Sequence, residues 1–552
     1  MRTTTRFLLL SSFVLSFALG AGGCAKKKSD GKKEGAAAGK VGEGEDGADG
    51  RAHQKPTQGG HLVLPAGSGG GSSEPEYLNP ILQTSFTRAN ALIFEGLVGL
   101  SSTLEPVPVL AESWQSSADG KKLTFKLRSG VKWQDGKPFT SKDVQFTFQA
   151  IRETKAPTLW KTYFAAVDKL ETPDPNTVVV TYSRPYAPAL IAWTVGIIPA
   201  HVYGGGPLTA SKGNKEPVGT GPFRLSRWEP GKSLLFEANR GWWNGRPNLD
   251  QVTLRVDAGD PLKALRAGEV DFTQVPDVAV WSTEAQVPDF RADFEVATSH
   301  GSLFRSIGWN VQKAPFDDKK VRLALTLALN RARVIEDVLL NQAQAMSAPL
   351  FPNMIGSDPS IAPPPFDLGK ASALLDEAGH KAGPNGRFAV QIITVASQRT
   401  DSTEEMFAIF RRDYAAIGID LKVEYLSPKE FSDRVVMRDF DAVYFGWFPD
   451  IPDPDPSALL ASSQIKVGQN FAGYSDPDVD KLLEAAVATS NRDERKALYQ
   501  KLHAKLAADL PYTVLYSPYS HFAWSRRVHG VSPDDIGPQP RFPGIAGWWV
   551  ER

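Results

Sequence analysis

The sequence of 552 residues contains a single cysteine, Cys24. One thiol cannot form a disulfide within the chain, and a structural zinc site built on several cysteines is excluded as well. The eight histidines are scattered singly, and no two of them have the i, i+4 spacing that places two imidazoles on one helix face. We therefore expect no metal site and no cofactor.

Net charge is also lacking, because 62 Lys and Arg residues balance 62 Asp and Glu residues. The composition as a whole therefore gives no reason to expect nucleic acid or an anionic membrane surface as a partner. Hydrolase motifs of the Gly-x-Ser-x-Gly and His-Glu-x-x-His types are absent, and no catalytic Cys/His pair is present. We predict a protein that is not an enzyme and binds no nucleic acid.

No segment is apolar enough over the roughly 20 residues that a membrane-spanning helix needs. Residues 7–19 form a shorter apolar run, which follows two arginines and precedes small residues that end at Cys24. This order is typical of a secretory signal, predicted here over residues 1–24. The segment resembles the bacterial lipobox, in which the cysteine is acylated, although Ala21 stands where Leu is usual. An ordinary cleaved signal with an incidental cysteine is the alternative.

Residues 25–59 consist mainly of Lys, Gly, Glu, Ala and Asp and have almost no large apolar side chain. Such a stretch cannot bury enough surface to offset the entropy lost on ordering. We predict a disordered tether that links a lipid anchor at Cys24 to the folded body. The protein is accordingly expected to be a membrane-anchored lipoprotein in the periplasm or another extracytoplasmic location.

The folded body is predicted to begin near residue 60 and to mix strands with helices. Alternating apolar and polar side chains at 123–128 indicate a half-buried strand, and Thr140 with Asp143 is typical of a capped helix start. Beyond residue 305, strand and helix patterns alternate, which favours an α/β fold. The glycine-rich stretch 66–73 lacks the Gly-Lys-Ser/Thr ending of a phosphate loop and is interpreted as a turn.

Seven segments in a fixed order resemble the family 5 extracellular solute-binding proteins, which are the dipeptide, oligopeptide and nickel receptors of ABC importers. Each segment alone is weak, but the ordered set extends over residues 60–525. The segments include Tyr-Leu-Asn-Pro at 77–80 and Pro-Val-Gly-Thr-Gly-Pro-Phe at 217–223. The others are at 110–114, 123–144, 321–331, 371–379 and 473–480.

The resemblance implies an α/β fold like that of periplasmic binding proteins of the class II or cluster C type. Hinged lobes with mixed sheets and an extra inserted α+β domain belong to that fold. Two lobes would close over a solute at their interface, where ligands commonly bind. The predicted units are a discontinuous lobe I (60–96, 216–306 and 514–552), an inserted domain II (97–215) and lobe III (307–513).

The segment Tyr-Phe-Gly-Trp-Phe-Pro-Asp at 444–450 resembles the Trp-x-x-Asp motif of the peptide-binding members. The resemblance implies that the Asp450 carboxylate contacts the α-ammonium of the ligand and that Trp447 forms an apolar wall. Backbone groups near Gly446 would pair with an extended peptide. The alternative for Asp450 is a solvated loop acid, because Asp and Pro, common in turns, dominate residues 450–456.

The opposite end of a peptide is a carboxylate, which requires a cation. Arg399 lies in the loop after the predicted strand 388–395 and is the candidate; a surface arginine is the alternative. Asn470, Phe471 and Tyr474 lie in a stretch that often faces the cleft in this family. Core packing is the alternative for the two aromatic residues.

The resemblance implies the substrate-binding component of an ABC importer. The protein is expected to be a monomer that binds a short peptide or similar solute and delivers it to a permease and ATPase complex. One alternative is a receptor for another solute, such as a nickel chelate, haem, an opine or a sugar. Another alternative is a scaffold lipoprotein that keeps the fold without a ligand.

Overall fold

The computed structural model of the protein describes most of the chain beyond residue 54. The predicted signal peptide with Cys24, most of the predicted tether, and Asp450 lie outside the described residues. Within the described part, no helix is both long and apolar enough to cross a membrane. The described ranges are 55–67, 74–82, 87–101, 105–158, 160–257, 259–301, 303–351, 354–447, 455–466, 469–532, 535–536 and 544–551.

The strands are numbered in chain order. The first ten are β1 (His61–Pro65), β2 (Val98–Leu100), β3 (Pro106–Pro108), β4 (Ala111–Ser116), β5 (Lys122–Leu127), β6 (Val167–Asp174), β7 (Thr177–Tyr182), β8 (Phe223–Glu229), β9 (Ser233–Ala238) and β10 (Gln251–Arg255). The strands that follow are β11 (Phe272–Gln274), β12 (Phe294–His300), β13 (Phe304–Trp309), β14 (Ala343–Ala345), β15 (Phe388–Val395), β16 (Ile419–Leu426), β17 (Ala442–Trp447), β18 (Tyr512–Ser525), β19 (Val528–His529) and β20 (Trp549–Val550).

The helices are numbered in the same way. Those before residue 300 are α1 (Arg88–Ile93), α2 (Ser141–Glu153), α3 (Trp160–Tyr163), α4 (Ala189–Ala192), α5 (Ala200–Tyr203), α6 (Pro261–Arg266), α7 (Val278–Val280) and α8 (Pro288–Asp293). Those after it are α9 (Lys319–Leu327), α10 (Arg331–Arg333), α11 (Leu368–Glu377), α12 (Asp401–Ala415), α13 (Pro428–Met437), α14 (Ser457–Leu460), α15 (Pro477–Ala488) and α16 (Arg492–Asp509).

Local sequence patterns account for many of these elements. The alternating segment at 123–128 lies in β5, where buried and less buried side chains alternate. The carboxylate of Asp143 accepts the backbone N–H of Thr140 at 3.0 Å, which confirms the predicted helix start. At the N-terminal side, Thr57 already donates to the carbonyl oxygen of Val550 at 3.3 Å. The folded body therefore includes the last residues of the predicted tether.

The part of the chain predicted as lobe I and domain II contains two four-stranded sheets. In the first, of order β1-β10-β9-β8, β1 is parallel to β10 and the other pairs are antiparallel. The second, of order β4-β5-β7-β6, is entirely antiparallel. Both sheets contribute to one hydrophobic core, whose largest members include Phe125, Trp133, Trp193 and Phe223. The domain limits themselves stay predictions.

The part predicted as lobe III contains the strand order β18-β13-β17-β15-β16, which belongs to an eight-stranded sheet that also includes β11, β12 and β14 through their pairing with β18. Strands β15, β16 and β17 are mutually parallel, while β13 is antiparallel to β17. Helices α9, α11 and α12 bury apolar side chains against this sheet in one core, and α15 and α16 contribute to another. Mixed sheets with helices packed against them confirm the α/β class.

Strand β18 joins the predicted lobes. Its residues 512–516 pair with β13, and its residues 519–525 pair with β12. The sequence pattern indicated a strand at 512–516 only. In the structure, Pro518 faces Ala343 of β14, and the strand continues on the far side of the proline. β12 leads directly into β13, so the chain crosses between the predicted lobes twice, once in β18 and once between β12 and β13. These two segments lie side by side.

Candidate functional site

The carboxyl ends of three parallel strands meet at one edge of the lobe III sheet. Val395 at the end of β15 lies opposite Leu426 at the end of β16. The pairing of Ile392 with Ala442 brings β17 into the same orientation, so that Trp447 ends this strand at the same edge. Ligands of open α/β sheets commonly bind outside the carboxyl ends of the strands. This edge is the candidate site.

The last residues of β17 leave a notch in the sheet. Pairing between β15 and β17 ends at Ile393 and Val443. Residues 444–447 still pair with β13 on the other side. Toward β15, however, they have no strand partner among the residues that the structure describes. Backbone groups in such a notch can form a β-ladder with an extended ligand.

Trp447 forms one wall of this notch. Its ring lies 5.7 Å from that of Phe304 on β13, and its indole Nε1 is 3.5 Å from Oε1 of Gln469. The side chain is half-buried, so one part of the ring anchors the strand end and another faces solvent. The predicted pair of Gly446 and Trp447 is therefore present at this edge. Its predicted partner Asp450 lies outside the described residues.

Arg399 lies at the same edge, on the far side of the notch. Its guanidinium is 5.2 Å from the ring centre of Tyr425 on β16, and Nε donates to Glu404 at 2.9 Å. Two strand spacings, about 10 Å, separate β16 from β17. Burial and the nearby Glu404 raise the pKa of Tyr425 to about 12, so this phenol is neutral at physiological pH. The Arg399 side chain itself is 67% exposed.

The side chains of Asn470 and Tyr474 bond within lobe III, although Gln469, the neighbour of Asn470, contacts Trp447 at this edge. The amide of Asn470 is 0% exposed and donates to the carbonyl oxygen of Tyr474 at 2.7 Å. The Tyr474 hydroxyl donates to Asp509 at 2.7 Å, just before β18 begins. That end of β18 pairs with Gly308, four residues or about 13 Å along β13 from Phe304. These contacts do not support a ligand-binding role for either side chain and assign both to the packing of lobe III.

One charged residue at this edge was not predicted from the sequence. Arg305 on β13 pairs with Gly446 on one side and with Tyr516 on the other. An ideal Cβ built on Gly446 would lie 2.7 Å from the Arg305 Nη1, so the guanidinium lies directly over the glycine. A charged residue within an otherwise apolar strand, and a glycine between Phe445 and Trp447, were the available signals.

The profile described as "Bacterial extracellular solute-binding proteins, family 5 Middle" matches residues 105–468. This match covers more than half of the chain. The chain belongs to the family 5 bacterial extracellular solute-binding proteins. Family 5 membership agrees with the resemblance of the seven ordered segments, and proteins of this family are components of transporters located outside the cytoplasm.

Several relatives cover nearly the whole family 5 chain. The oligopeptide-binding protein AppA of Bacillus subtilis is 29% identical over 90% of this chain and 93% of its own. A dipeptide-binding protein of Pseudomonas aeruginosa is 30% identical over 82% and 89%, and heme-binding protein A of Haemophilus influenzae is 29% identical over 82% and 87%. The structure of AppA in complex with a nonapeptide matches with a TM-score of 0.71 and 27% identity, over 90% and 100%. This match confirms the binding-protein fold.

In this family 5 protein, the parts of the chain predicted as domain II and lobe III are in direct contact. The Ala187 N–H donates to the carbonyl oxygen of Val487 at 2.6 Å, and Arg492 forms an ion pair with Glu105. A cavity of about 250 Å³ lies beside these contacts, lined by Tyr182, Tyr186, Leu190, Met354 and Arg495 among others. Trp447 and Arg399 do not line it. We place the candidate site at the sheet edge, because that is where unpaired backbone and charged side chains converge.

A buried serine and histidine need separate mention, because such pairs occur in hydrolases. The His503 ring lies 2.8 Å from the Ser347 hydroxyl, and its Nδ1 accepts the backbone N–H of Asp358 at 3.0 Å. An accepting Nδ1 leaves the proton on Nε2, which then donates to the serine. A catalytic histidine needs the opposite polarity, with Nε2 accepting the serine proton. The pair is therefore arranged as a structural contact.

Proposed function

We propose that this protein binds a short peptide and delivers it to the permease of an ABC importer. The observation that carries the proposal is the stretch 444–447 of β17, which ends in Trp447 and has no strand partner on its β15 side among the described residues. An extended peptide offers the backbone groups that such a stretch lacks. The peptide-binding relatives among the family members support the same ligand class.

Three interactions would hold the peptide. The backbone of residues 444–447 pairs with the peptide main chain, and the exposed part of the Trp447 ring covers a side chain. Asp450, three residues after Trp447 in the sequence, receives the α-ammonium group. A charge-assisted hydrogen bond of this kind is strong in a closed cleft, where water competes less. None of these interactions depends on one side chain of the peptide, so broad specificity follows.

Closure of the cleft would use the two segments that cross between the lobes. β18 lies beside the connection from β12 to β13, and its partner changes from β13 to β12 within a few residues. Short segments that absorb a change in backbone angle are typical hinges. Because Arg305 and Phe304 directly follow this connection, a ligand at the notch contacts the hinge side of lobe III.

The experiment that tests peptide binding is calorimetry with a peptide recovered from the purified protein by native mass spectrometry. Asp450→Asn is expected to weaken binding about 10- to 100-fold, since hydrogen bonds to charged groups contribute about 1.5–3 kcal/mol. Acetylation of the peptide amino group should cause a similar loss, and the two changes together should cost little more than one. Asp478→Asn, which removes an exposed carboxylate near Lys481, is the control.

Two outcomes would contradict this assignment. If Asp450→Asn and N-acetylation each leave the affinity within twofold, the ammonium is not bound by Asp450. If native mass spectrometry finds haem, a metal chelate or an opine in place of a peptide, the protein is a receptor for another solute on the same fold. The similarity to heme-binding protein A is the reason to include haem among the ligands tested.

We also propose export and lipid anchoring at Cys24, with a monomeric folded body. The proposal is supported by the apolar run 7–19 and by the position of the only cysteine directly after small residues. Cys24→Ser should release the protein from the membrane fraction. A protein that stays soluble with an intact Cys24, or remains membrane-bound without it, would show that the cysteine is not the anchor.

A further inference from the structure

We propose that Arg305 binds a carboxylate group of the ligand, in the role that the sequence assigned to Arg399. This inference rests on the proposed function, because it places the anionic end of a peptide at the same notch. Arg305 belongs to β13, and its register partners are Gly446 on β17 and Tyr516 on β18. It therefore lies between the unpaired end of β17 and the segment that crosses to lobe I.

Within the described part of the chain, the guanidinium of Arg305 lacks the partners that other arginines in lobe III have. Among the described residues, it takes part in no hydrogen bond or ion pair, although the side chain is half-buried. By contrast, Arg322 donates to the carbonyl oxygen of Phe316 at 2.8 Å, and Arg331 donates to that of Val514 at 3.1 Å. A partly desolvated cation that has no counter-charge among the described residues is costly, and a ligand carboxylate would offset that cost.

Gly446 provides the space in which the guanidinium lies. A Cβ at this position would be 2.7 Å from Nη1 of Arg305 and 2.7 Å from Cδ1 of Leu303. The absence of a side chain thus lets Arg305 lie across β17 next to Trp447 instead of extending into solvent. A planar guanidinium in this position can donate two parallel hydrogen bonds to one carboxylate.

The neighbouring phenol does not neutralise Arg305. Burial raises the pKa of Tyr516 well above its usual value, so the hydroxyl remains uncharged. Arg399, the alternative cation, is already occupied, since it is bonded to Glu404 and stacked on Tyr425. Its exposure to solvent also weakens any ion pair that it forms with a ligand. Of the two cations at the edge, Arg305 is therefore the better carboxylate receptor.

The test compares two tripeptide libraries that contain no Asp or Glu, one with free C-terminal carboxylates and one with C-terminal amides. Binding is measured by native mass spectrometry and then by calorimetry of the best binders. The wild-type protein is expected to prefer the free acids at least 10-fold, and Arg305→Gln is expected to reduce this preference to about twofold or less. Arg399→Gln should keep the preference, as should the remote control Arg333→Gln, which removes an exposed pair with Asp337.

A second variant, Gly446→Ala, tests whether the position of the Arg305 guanidinium matters when its charge is kept. In Gly446→Ala the flexible end of Arg305 can move away from the new methyl group, so we expect a folded protein with a displaced guanidinium. Its preference for free acids should fall as in Arg305→Gln, and thermal unfolding should confirm that both variants are folded. An amidated library with one aspartate in each peptide identifies the source of the carboxylate. If these peptides bind the wild-type protein and lose affinity in Arg305→Gln, a ligand side chain supplies the carboxylate that Arg305 binds.

The outcomes separate this inference from the proposed function. If peptides bind but Arg305→Gln keeps the wild-type preference, the role of Arg305 is wrong and the peptide receptor stands. If Arg399→Gln alone abolishes the preference, the sequence-based assignment was right. If no library member binds the wild-type protein, both the proposed function and the inference are overturned.

Discussion

The Cα of Gly301 faces the carbonyl oxygen of Pro518 so closely that a Cβ at Gly301 would lie 2.1 Å from that oxygen. Gly301 follows β12, and Pro518 is the residue of β18 at which the strand changes partners. The contact therefore joins the two segments that cross between the lobes. A nearby hydrogen bond, from the Ser517 hydroxyl to the carbonyl oxygen of Leu303 at 2.8 Å, holds the same crossing.

Gly301→Ala should therefore destabilise the crossing. The obstacle is a backbone atom, so relief requires a shift of one strand against the other, and overpacking of this kind costs about 1–3 kcal/mol. Urea denaturation should show the loss, with Gly206→Ala as the control because a Cβ at Gly206 meets nothing within 4 Å. Equal stability of the two variants would mean that the crossing is looser than this contact indicates.

A second prediction concerns the contact between domain II and lobe III. Arg492→Gln removes the ion pair with Glu105, which stabilises only the arrangement in which these two units touch. The pair is exposed and contributes at most about 1 kcal/mol, so the population of open molecules should rise by up to about fivefold. Small-angle scattering of the ligand-free protein should then give a larger radius of gyration.

The matched control for this change is Arg333→Gln. It removes an exposed pair of similar geometry, with Asp337 at 2.9 Å, but both partners belong to lobe III. Its radius of gyration should equal that of the wild type. A larger radius in both variants, or in neither, would indicate that the Glu105 pair has no influence on closure.

The sequence predicted those structural features that depend on residues close to each other in the chain. Thr140 and Asp143 are three residues apart, so their bond follows from the chain itself. Gly446 and Trp447 were identified because the segment 444–450 resembles a short motif of the family. The position of Arg305 over Gly446 depends on the register of two strands about 140 residues apart in the sequence. No local pattern encodes that register, so the sequence could mark Arg305 as a charged residue in a strand but could not place it over Gly446.

Asn470 and Tyr474 also show that contacts between residues distant in the sequence cannot be predicted from local patterns. Their position in a stretch that often faces the cleft in family 5 proteins suggested exposure to the ligand. Whether a loop side chain faces a ligand or bonds to its own fold depends on long-range partners. For Tyr474 that partner is Asp509, 35 residues away, which the sequence does not link to it.

A third prediction concerns His521, which is buried in lobe I. The ring stacks on Trp281 at 4.4 Å and its Nδ1 is 3.1 Å from the hydroxyl of Thr298. Burial lowers its pKa from the usual 6.5 to about 4, so the folded protein disfavours the charged ring. Its stabilising contribution is therefore full above pH 6.5 and is lost as the pH falls to 4, by about 3 kcal/mol.

His521→Phe should remove this dependence, because phenylalanine keeps the stacking on Trp281 and has no proton to gain. The free energy of unfolding, measured in urea at pH 4.5 and 7.5, should therefore lose the increase with pH that His521 contributes, so that the value at pH 7.5 minus the value at pH 4.5 is lower in the variant than in the wild type. The variant also loses the contact to Thr298, but this loss lowers the free energy of unfolding equally at the two pH values and does not affect its change with pH. An unchanged pH dependence would show that His521 titrates normally in the folded state.

The last prediction concerns Glu95, where lobe I meets domain II, and its pH dependence has the opposite sign. Its carboxylate accepts hydrogen bonds from the indoles of Trp242 and Trp243 at 3.0 and 2.9 Å, and Arg128 stacks on the Trp243 ring at 4.5 Å. Burial outweighs these contacts and raises the pKa of Glu95 from 4.5 to about 7. The neutral form therefore stabilises the fold below pH 4.5, and this contribution is lost as the pH rises to 7. The difference is at most about 3 kcal/mol and is reduced by partial solvent access.

Glu95 and His521 change stability in opposite directions over nearly the same pH range. Their effects should largely cancel in the wild type between pH 4.5 and 7, whereas Glu95→Gln should leave a free energy of unfolding that rises with pH. His521→Phe should shift the dependence the other way, and the double variant should return close to the wild-type dependence. The two residues share no contact, so their effects should add to within about 0.5 kcal/mol. A Glu95→Gln profile parallel to that of the wild type would mean that Glu95 ionises in the fold as readily as in the unfolded chain, with its charge balanced by the indoles and Arg128.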